Sequence, residues 1–287
     1  MQKITPFLWF DNNAEEAVKL YTSLFPKAKI LTTMRYDENS AKMSGKKPGS
    51  LMTVSFQLFG QDFGAINGGP IFHFTPGISF MVHCSTEKEV TNYYNVLVKG
   101  GEVMMPLDSY PFSKKYAFIK DKFGLSWQLF LSEAKSHITP SLLFVGKDLG
   151  KAEAAVKFYT QVFKGKVDHM LKYEKGEPGK QGTVKHASFV IEGQEFDAMD
   201  GTGPHKFTFN ESLSFIVNCD TQKEIDLYWG KLSAVKESEQ CGWLKDKFGI
   251  SWQIIPSNIQ DILAKNPKAM AKMLQMKKLN IKDLEQA

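Results

Sequence analysis

The side chains best suited to metal or acid–base chemistry in this chain are its six histidines and three cysteines. A divalent first-row metal is held well by three or four imidazole, carboxylate or thiolate ligands. No ligand spacing connects the histidines, which are His73, His83, His137, His169, His186 and His205. Only His83 lies inside a clear strand pattern, and no Ser-His-Asp or Cys-His arrangement stands out. The sequence therefore favours a protein without a metal cofactor, with a divalent metal as the minor alternative.

Two glutamines are candidate ligand contacts because each follows a tryptophan in the sequence Ser-Trp-Gln. If Trp127 and Trp252 face the core, strand alternation turns Gln128 and Gln253 to the opposite face. A carboxamide there can both donate and accept a hydrogen bond. The alternative is that each glutamine is an ordinary polar residue of the sheet wall.

Aromatic residues supply further candidates. Trp9 alternates with Phe7 on a predicted first strand, and Trp243 matches Phe118 in the other half of the chain. Large rings of this kind either line a binding site or fill the core, and the pattern leaves both interpretations open.

Two polar residues occupy corresponding strand ends beside glycine turns. Asn67 precedes Gly68-Gly69, and Asp200 precedes Gly201. Asn and Asp are favoured at such positions by turn chemistry alone, because their side chains bond the local backbone. We therefore keep ligand binding and turn formation as alternatives for both residues.

A tandem repeat determines how these candidates are arranged along the chain. The segment 120–130 (KDKFGLSWQLF) returns at 245–255 as KDKFGISWQII, and shorter segments repeat before it. The second copy lacks about ten residues that match 102–115 of the first. We predict one domain at residues 1–135, a second at 136–256, and an amphipathic helical tail at 257–287.

Within the first copy the hydrophobic pattern predicts a strand, a helix and three strands, twice over. The first set is a strand at 7–10, a helix at 14–25 that Pro26 ends, and strands at 30–36, 52–59 and 62–67. The second set is a strand at 78–84, a helix at 87–97, and strands at 102–106, 116–120 and 126–131. The chain is thus predicted to be an α+β protein of four βαβββ modules.

Composition narrows the class of protein. With 287 residues, 43% hydrophobic content and a net charge of +5, the chain resembles a globular protein of two domains. It has no basic run with interleaved aromatics, so nucleic acid is not an expected partner. No stretch approaches 18 apolar residues and no signal sequence is evident, so we expect a cytoplasmic protein that does not act at a membrane.

Several motifs resemble the vicinal oxygen chelate superfamily, which includes glyoxalase I, bleomycin-resistance proteins and extradiol dioxygenases. More narrowly, residues 7–25 (FLWFDNNAEEA followed by YTSLF), 224–229 (EIDLYW), 241–253 (CGWLKDKFGISWQ) and 276–281 (MKKLNI) resemble its PhnB-like branch. That branch is often labelled 3-demethylubiquinone-9 3-methyltransferase. The resemblance covers essentially the whole chain.

The resemblance implies two tandem glyoxalase-like domains, each a pair of modules forming a cup-shaped mixed sheet with its ligand inside. Metal-using relatives place a His or Gln on a first strand and a Glu on a last strand. Those positions match Thr5 and Thr139, and then Gln128 and Gln253. A carboxylate would also be wanted on the fourth strand, where Ala65 and Ala198 stand. By this comparison, too, the cups are expected to lack a metal.

The expected function is binding of a small, partly apolar or aromatic molecule in one or both cups. The expected contacts are Thr5, Phe7, Trp9, Asn67, Gln128, Asp200, Trp243 and Gln253. The alternatives are a superfamily enzyme (metal-assisted lyase, isomerase or dioxygenase), the methyl transfer that the label suggests, or a duplication in which one cup is only scaffold. The residues do not favour methyl transfer, since the glycine-bearing turn 200–204 is not followed by a helical pattern. We expect a monomer with intramolecular pairing of its domains, or a dimer.

Overall fold

The computed structural model describes residues 2–38, 41–42, 45–266 and 268–287. In the first copy the order of strands and helices is the predicted one, with strand boundaries extended by a few residues. The first module comprises β1 (Ile4–Phe10), α1 (Ala14–Leu24), β2 (Lys29–Arg35), β3 (Leu51–Leu58) and β4 (Gln61–Asn67). The second comprises β5 (Ile78–Cys84), α2 (Glu87–Leu97), β6 (Glu102–Tyr110), β7 (Ser113–Lys120) and β8 (Ser126–Leu131).

The second copy repeats this order with a shorter last module. The third module comprises β9 (His137–Phe144), α3 (Ala152–Val162), β10 (Lys166–Lys172), β11 (Val184–Ile191) and β12 (Gln194–Asp200). The fourth comprises β13 (Leu213–Cys219), α4 (Gln222–Leu232), β14 (Trp243–Lys245) and β15 (Ser251–Pro256). The predicted helical tail forms three short helices, α5 (Ile259–Lys265), α6 (Ala269–Leu274) and α7 (Ile281–Glu285).

The pairing of the modules differs from the prediction. Sheet A has the strand order β14-β15-β13-β1-β4-β3-β2, and sheet B has the order β10-β11-β12-β9-β5-β8-β7-β6. Each sheet therefore joins one module of the first copy to one module of the second. The junctions are antiparallel, with Ile4 opposite Val217 in sheet A and Ile78 opposite Leu142 in sheet B. The α+β class and the two copies are as predicted, but the two modules of one copy do not share a sheet.

The core lies between the two sheets, where the modules of one copy face each other. Helix α1 packs on β3 of sheet A, and its Tyr21 ring lies 5.0 Å from the Trp127 ring of sheet B. Tyr159 and Trp252 repeat this contact at 5.5 Å in the second copy. Both tryptophans are fully buried, as the alternation argument required.

The repeated Lys-Asp-Lys-Phe-Gly sequence forms the link between these modules. The Asp121 carboxylate accepts hydrogen bonds from Tyr21 Oη at 2.6 Å and Trp127 Nε1 at 2.8 Å. It also accepts two backbone N–H groups of its own turn, those of residues 123 and 125. Asp246 makes the same four contacts in the second copy, with Tyr159, Trp252 and the N–H groups of 248 and 250. The motif is thus a buried carboxylate that fastens the last strand of one module to the helix of another.

Candidate functional site

Each sheet has a second face, turned away from the core, on which the predicted ligand contacts concentrate. We call this face cup A in sheet A and cup B in sheet B. Alternation along β1 turns Ile4, Leu8 and Phe10 into the core and Thr5, Phe7 and Trp9 into cup A. Thr5 is only 9% exposed although no core lies above it, so the sheet curves over its own face. This curvature agrees with the predicted cup shape.

An aromatic group dominates cup A. The Trp243 ring lies 6.1 Å from Phe7 and 6.2 Å from Trp9, both edge to face. Phe72, from the loop after β4, meets Trp9 at 5.2 Å. Strands β13 and β15 separate β14 from β1, a spacing of about 14 Å in a flat sheet. The rings of the two copies therefore meet across the curved sheet.

These rings are half-buried and not part of the closed core. Trp9 is oriented by its indole N–H, which donates to the Gly69 carbonyl at 2.8 Å. Phe7 is accommodated because Gly64 stands directly opposite it on β4. A Cβ at Gly64 would lie 2.5 Å from the Phe7 ring, so any larger residue there would displace it. Of the two alternatives for Phe7, Trp9 and Trp243, the structure supports positions on the cup wall.

One carboxamide accompanies the rings of cup A. Gln253 pairs with Ile216 on one side and Trp243 on the other, and its Nε2 donates to Ser214 Oγ at 3.0 Å. Its Oε1 accepts no hydrogen bond from any residue in the described ranges. This free oxygen lies beside three aromatic rings and can accept a hydrogen bond from an O–H or N–H group of a bound molecule.

Cup B holds its own glutamine differently. Gln128 Oε1 accepts from Tyr116 Oη at 2.7 Å, while Nε2 donates to Ser79 Oγ at 2.9 Å and Ser141 Oγ at 3.1 Å. The two serines come from different copies, so the amide joins β5 to β9. Gln128 is therefore engaged at both ends of its amide, unlike Gln253.

The main difference between the cups is a group of acids and imidazoles in cup B. Four of the six histidines (His83, His137, His169 and His186) lie on this sheet together with Asp197 and Glu195. They occupy the neighbouring strands β5, β9, β12, β11 and β10, and we call them the histidine row. At the register position where cup A pairs Phe7 with Gly64, cup B pairs Ser141 with Asp197. The same fold position thus carries an apolar contact in one cup and a carboxylate in the other.

Asp197 is the centre of the row. It is 1% exposed, and its Oδ1 lies 3.1 Å from His186 Nε2. Its Oδ2 accepts from Thr139 and lies 3.8 Å from His83 Nε2. Burial alone would raise the pKa of Asp197, but the contact with His186 and the nearby imidazole of His83 outweigh it and hold that pKa well below its usual range.

Two further contacts extend the row in both directions. His169 Nε2 lies 2.8 Å from His186 Nδ1, which continues the chain from Asp197 to the exposed edge strand β10. On the other side His137 Nε2 lies 3.4 Å from Glu195 Oε2, and its ring stacks on that of His83 at 4.2 Å. Glu195 raises the pKa of His137, and His137 in turn lowers the pKa of Glu195.

The donors of each cup bear on whether a metal fits. In cup A the predicted positions, Thr5 and Gln253, offer a hydroxyl and an amide, which bind first-row metals poorly without charged partners. Cup B has the right ligand types, but the oxygens of Asp197 already contact Thr139 and imidazoles. Within the ranges that the structure describes, no three His, Cys, Asp or Glu are arranged to hold a metal ion. The residues as placed do not fit a metal in either cup.

On the fourth strand of each copy, the alanine selected by the family comparison lies one residue away from the position that faces the cup. Ala65 and Ala198 pair with Leu8 and Leu142 and are fully buried on the core side. The cup-facing residue of β12 is Asp197. A shift of one residue along a strand exchanges its two faces. The comparison with metal-using relatives therefore selected Ala198 on the core side and not Asp197 on the cup side.

Asn67 and Asp200 lie on the core side, away from the other six predicted contacts. Asn67 Oδ1 accepts from the N–H of Ala14 at 2.9 Å, and its Nδ2 donates to the Leu51 carbonyl at 3.1 Å. Asp200 accepts the N–H groups of Gly150 at 2.6 Å and Val184 at 2.9 Å. Both side chains hold helix starts and neighbouring strands that are distant in the sequence, and not the adjacent glycine turns.

Sequence reasoning missed the histidine row because its members are scattered over five strands of two modules, one from each copy. A signal was nevertheless present. His137 and Thr139 alternate on β9, and Glu195 and Asp197 alternate on β12, so each pair shares one face. Combining these faces required the strand order, which the sequence did not provide.

Two surface hollows, of about 460 and 400 Å³, contain no residue of either cup. The larger is lined by Lys268, Lys272, Gln275, Asp283, Gln286 and Ala287 of the tail. In the described part of the chain, no helix is both long and apolar enough to cross a bilayer.

Comparison with known proteins gives both family and structural likenesses. The family described as 3-demethylubiquinone-9 3-methyltransferase matches residues 2–130 and again residues 136–255. A putative 3-demethylubiquinone-9 3-methyltransferase, PhnB protein, from Bacillus cereus is 45% identical over 46% of this chain and 100% of its own, with a TM-score of 0.43. No curated protein matches the chain.

Solved structures of glyoxalase I cover nearly the whole chain. A single-residue variant of glyoxalase I from Zea mays is 14% identical over 92% of this chain and 96% of its own, with a TM-score of 0.55. Glyoxalase I from Zea mays itself is 14% identical over 91% and 93%, with a TM-score of 0.53. At this identity the likeness concerns the fold alone.

Proposed function

This chain belongs to the 3-demethylubiquinone-9 3-methyltransferase family, a PhnB-like branch of the vicinal oxygen chelate superfamily, and we propose that it binds a small aromatic molecule in cup A. The observation that carries the proposal is the meeting of Phe7, Trp9 and Trp243 beside the free acceptor of Gln253. Half-buried rings lose water when a planar apolar molecule packs on them, at about 25 cal/mol per Å². The amide acceptor adds orientation, since it favours a molecule with one O–H or N–H group.

The methyl transfer named in the family description is not part of this proposal. Binding of S-adenosylmethionine usually rests on a glycine-rich turn that leads into a helix, with an acid for the ribose. The turn 200–204 is followed by residues 205–210 without helix, and Asp200 is bonded to backbone N–H groups. The residues at this turn do not fit that cofactor.

The binding proposal predicts a specific ranking of two probes. We expect 2-naphthol, which carries an O–H donor, to bind more tightly than 2-methoxynaphthalene, which does not. Fluorescence titration of the full chain measures both dissociation constants. Trp243→Ala is expected to weaken 2-naphthol binding about tenfold, which corresponds to about 1.4 kcal/mol. Gln253→Ala is expected to remove the preference between the two probes.

The matched control is Phe118→Ala in cup B. Phe118 pairs with Gln128 as Trp243 pairs with Gln253, so it tests the same register position in the other cup. Its replacement should leave 2-naphthol affinity unchanged. Failure of the chain to bind either naphthalene, or equal losses in the Trp243 and Phe118 variants, would contradict binding in cup A.

The histidine row favours a second candidate function, metal-free acid–base chemistry in cup B. Asp197 orients His186 as an Nε2–H donor, which leaves Nδ1 to accept from His169. A carboxylate that orients an imidazole is the arrangement that general acid–base catalysis uses. Since both nitrogens of His186 are engaged, a proton from a carbon next to a carbonyl would pass to His169 Nδ1, and a solvent proton would return to that carbon.

Deuterium exchange tests this second candidate. Loss of the methyl proton signal of acetophenone in D2O is followed by NMR with the wild-type chain, His186→Gln and His73→Gln. His73 is exposed and outside the row, so its variant should keep the wild-type rate. We expect His186→Gln to slow the protein-dependent exchange at least tenfold. Equal rates in all three samples would exclude acid–base action by the row on this class of ketone.

A further inference from the structure

The two sheets end differently at corresponding edges. Sheet B ends in β7 and β6, which have eight and nine residues, whereas sheet A ends in β14, which has three. The difference follows from the residues that the second copy lacks, since they match the β6 region of the first. Sheet A therefore has no counterpart of β6, and the segment 240–242 before β14 needs other backbone partners.

The C-terminal tail supplies those partners. The N–H of Cys241 donates to the Met276 carbonyl at 2.8 Å, and the N–H of Gly242 donates to the Lys277 carbonyl at 2.7 Å. Gln240 Nε2 donates to the Leu274 carbonyl at 2.6 Å. These three contacts hold the residues just before Trp243, whose ring belongs to the aromatic group of cup A.

Close packing fixes the tail in this position. Leu279 is fully buried, and a Cβ on Gly242 would lie 3.2 Å from its Cδ1. Gln222 of α4 holds both sides of this residue, donating to the Leu279 carbonyl at 3.1 Å and accepting from the Ile281 N–H at 2.9 Å. The φ angle of +86° at Gly242 also favours glycine, so the chain is shaped to admit the leucine.

The tail also reaches the cup side of the sheet. Ile255 lies two residues after Gln253 on β15 and so shares its face. It packs against a small apolar cluster of the tail, formed by Ile259, Ile262, Ala269, Leu279 and Leu284. Met273 and Met276 join the same cluster, and such unbranched side chains adapt to irregular apolar surfaces.

We propose that the C-terminal tail is the outer wall of cup A, where it takes the place of the missing outer strand and positions Trp243 for ligand binding. This inference rests on the proposed function of cup A. Cup B needs no such wall, because β6 and β7 complete its sheet. The two cups would then differ in their walls as well as in their chemistry, with the tail restricting cup A to molecules that fit between it and Trp9.

Leu279→Asp tests the wall in the full chain, because a carboxylate cannot be buried beside Gly242 at low cost. Its matched control is Leu274→Asp, since Leu274 lies in the same tail but is 42% exposed. Three quantities are measured: trypsin cleavage within residues 272–282, tryptophan emission, and affinity for 2-naphthol. The emission of Trp243 is isolated by repeating each variant in a Trp243→Phe background.

For Leu279→Asp we expect cleavage at least tenfold faster, a red shift that is absent in the Trp243→Phe background, and about tenfold weaker 2-naphthol binding. Leu274→Asp should change none of these. Should Leu279→Asp fail to fold, Gln222→Ala is read in the same way, with smaller changes of the same sign.

The outcomes separate the two proposals. If Leu279→Asp makes the tail accessible to trypsin but leaves Trp243 emission unchanged, the wall proposal is overturned, whatever the effect on 2-naphthol binding. If the tail stays as resistant to trypsin in Leu279→Asp as it is in Leu274→Asp, Leu279 does not dock the tail, and the wall that depends on this docking is overturned. If wild-type chain binds no naphthalene while Trp243 emission still responds to Leu279→Asp, the positioning of Trp243 stands and the proposed ligand class fails.

Discussion

Replacing Asp121 with alanine is expected to lower the free energy of unfolding by about 3–5 kcal/mol, as removal of one partner from a buried charged network does. The loss has a specific cause. Tyr21, Trp127 and two backbone N–H groups all donate to this one carboxylate, and Tyr21, Trp127 and Leu125 are fully buried, so their donors would be left without a partner. Urea unfolding of the wild-type and variant chains at one pH measures the difference.

Two comparisons make this prediction specific. Asp121→Asn is expected to be nearly as costly, because an NH2 group would replace an oxygen where four donors converge. Asp246→Ala should give a similar loss in the second copy, since its contacts are the same. The control is Ser126→Ala, because the buried Ser126 hydroxyl has no hydrogen-bond partner among the described residues. A large loss in the Ser126 variant, or none in the Asp121 variant, would contradict this role of the repeat.

Replacing Asp197 with asparagine is expected to lower the free energy of unfolding at pH 6 by about 3 kcal/mol, because it leaves the half-buried imidazoles of His186 and His83 without their buried anion. The dependence on pH should change as well. The folded state holds the pKa of Asp197 below its usual range, so its contribution is fully present above the unfolded pKa, which is about 3.9. This contribution is lost as the pH falls through the folded pKa. Asp197→Asn should therefore flatten the acid side of the stability profile.

His137 gives the row an opposite dependence at higher pH. Because Glu195 raises the pKa of His137, the contribution of this pair is fully present below the unfolded pKa of about 6.5. It is lost as the pH rises through the folded pKa of His137. The contribution of sheet B to the free energy of unfolding should thus be highest in the weakly acid range. Urea unfolding of wild type between pH 3 and pH 8 measures it. Asp62→Asn in cup A, which has no histidine row, is the control, and a change of its profile like that of Asp197→Asn would refute this origin.

Much of the fold followed from sequence patterns because those patterns are local. The apolar spacing of residues 14–25 and the stop at Pro26 predicted α1, which spans Ala14–Leu24. Helix α2 was predicted without error at Glu87–Leu97, where Thr86 caps it by accepting from the Glu89 N–H. The family resemblance drawn from motifs is also confirmed, because the family matches residues 2–130 and again residues 136–255. The domain boundaries at residues 135 and 256 stay predictions.

Part of the candidate site could likewise be placed from the sequence. Alternation put Gln128 and Gln253 opposite their buried tryptophans, and both lie on the cup faces. Thr5, Phe7, Trp9 and Trp243 share cup A with Gln253. The contacts of Asn67 and Asp200 could not be assigned, since a polar residue at a strand end satisfies either a turn or a ligand until its partners are known.

The sequence by itself determined the duplication, the four modules and the face on which each strand residue lies, since these depend on repetition and on a period of two residues. Only the tertiary structure decided which module pairs with which. Strands β1, β5, β9 and β13 are equivalent first strands, and nothing in their local pattern specifies a partner, because backbone hydrogen bonds are the same for any of them. That choice brings Trp243 of the fourth module to Trp9 of the first, and His83 of the second to Asp197 of the third. The two cups acquire different chemistry because each is assembled from residues that are distant in the sequence.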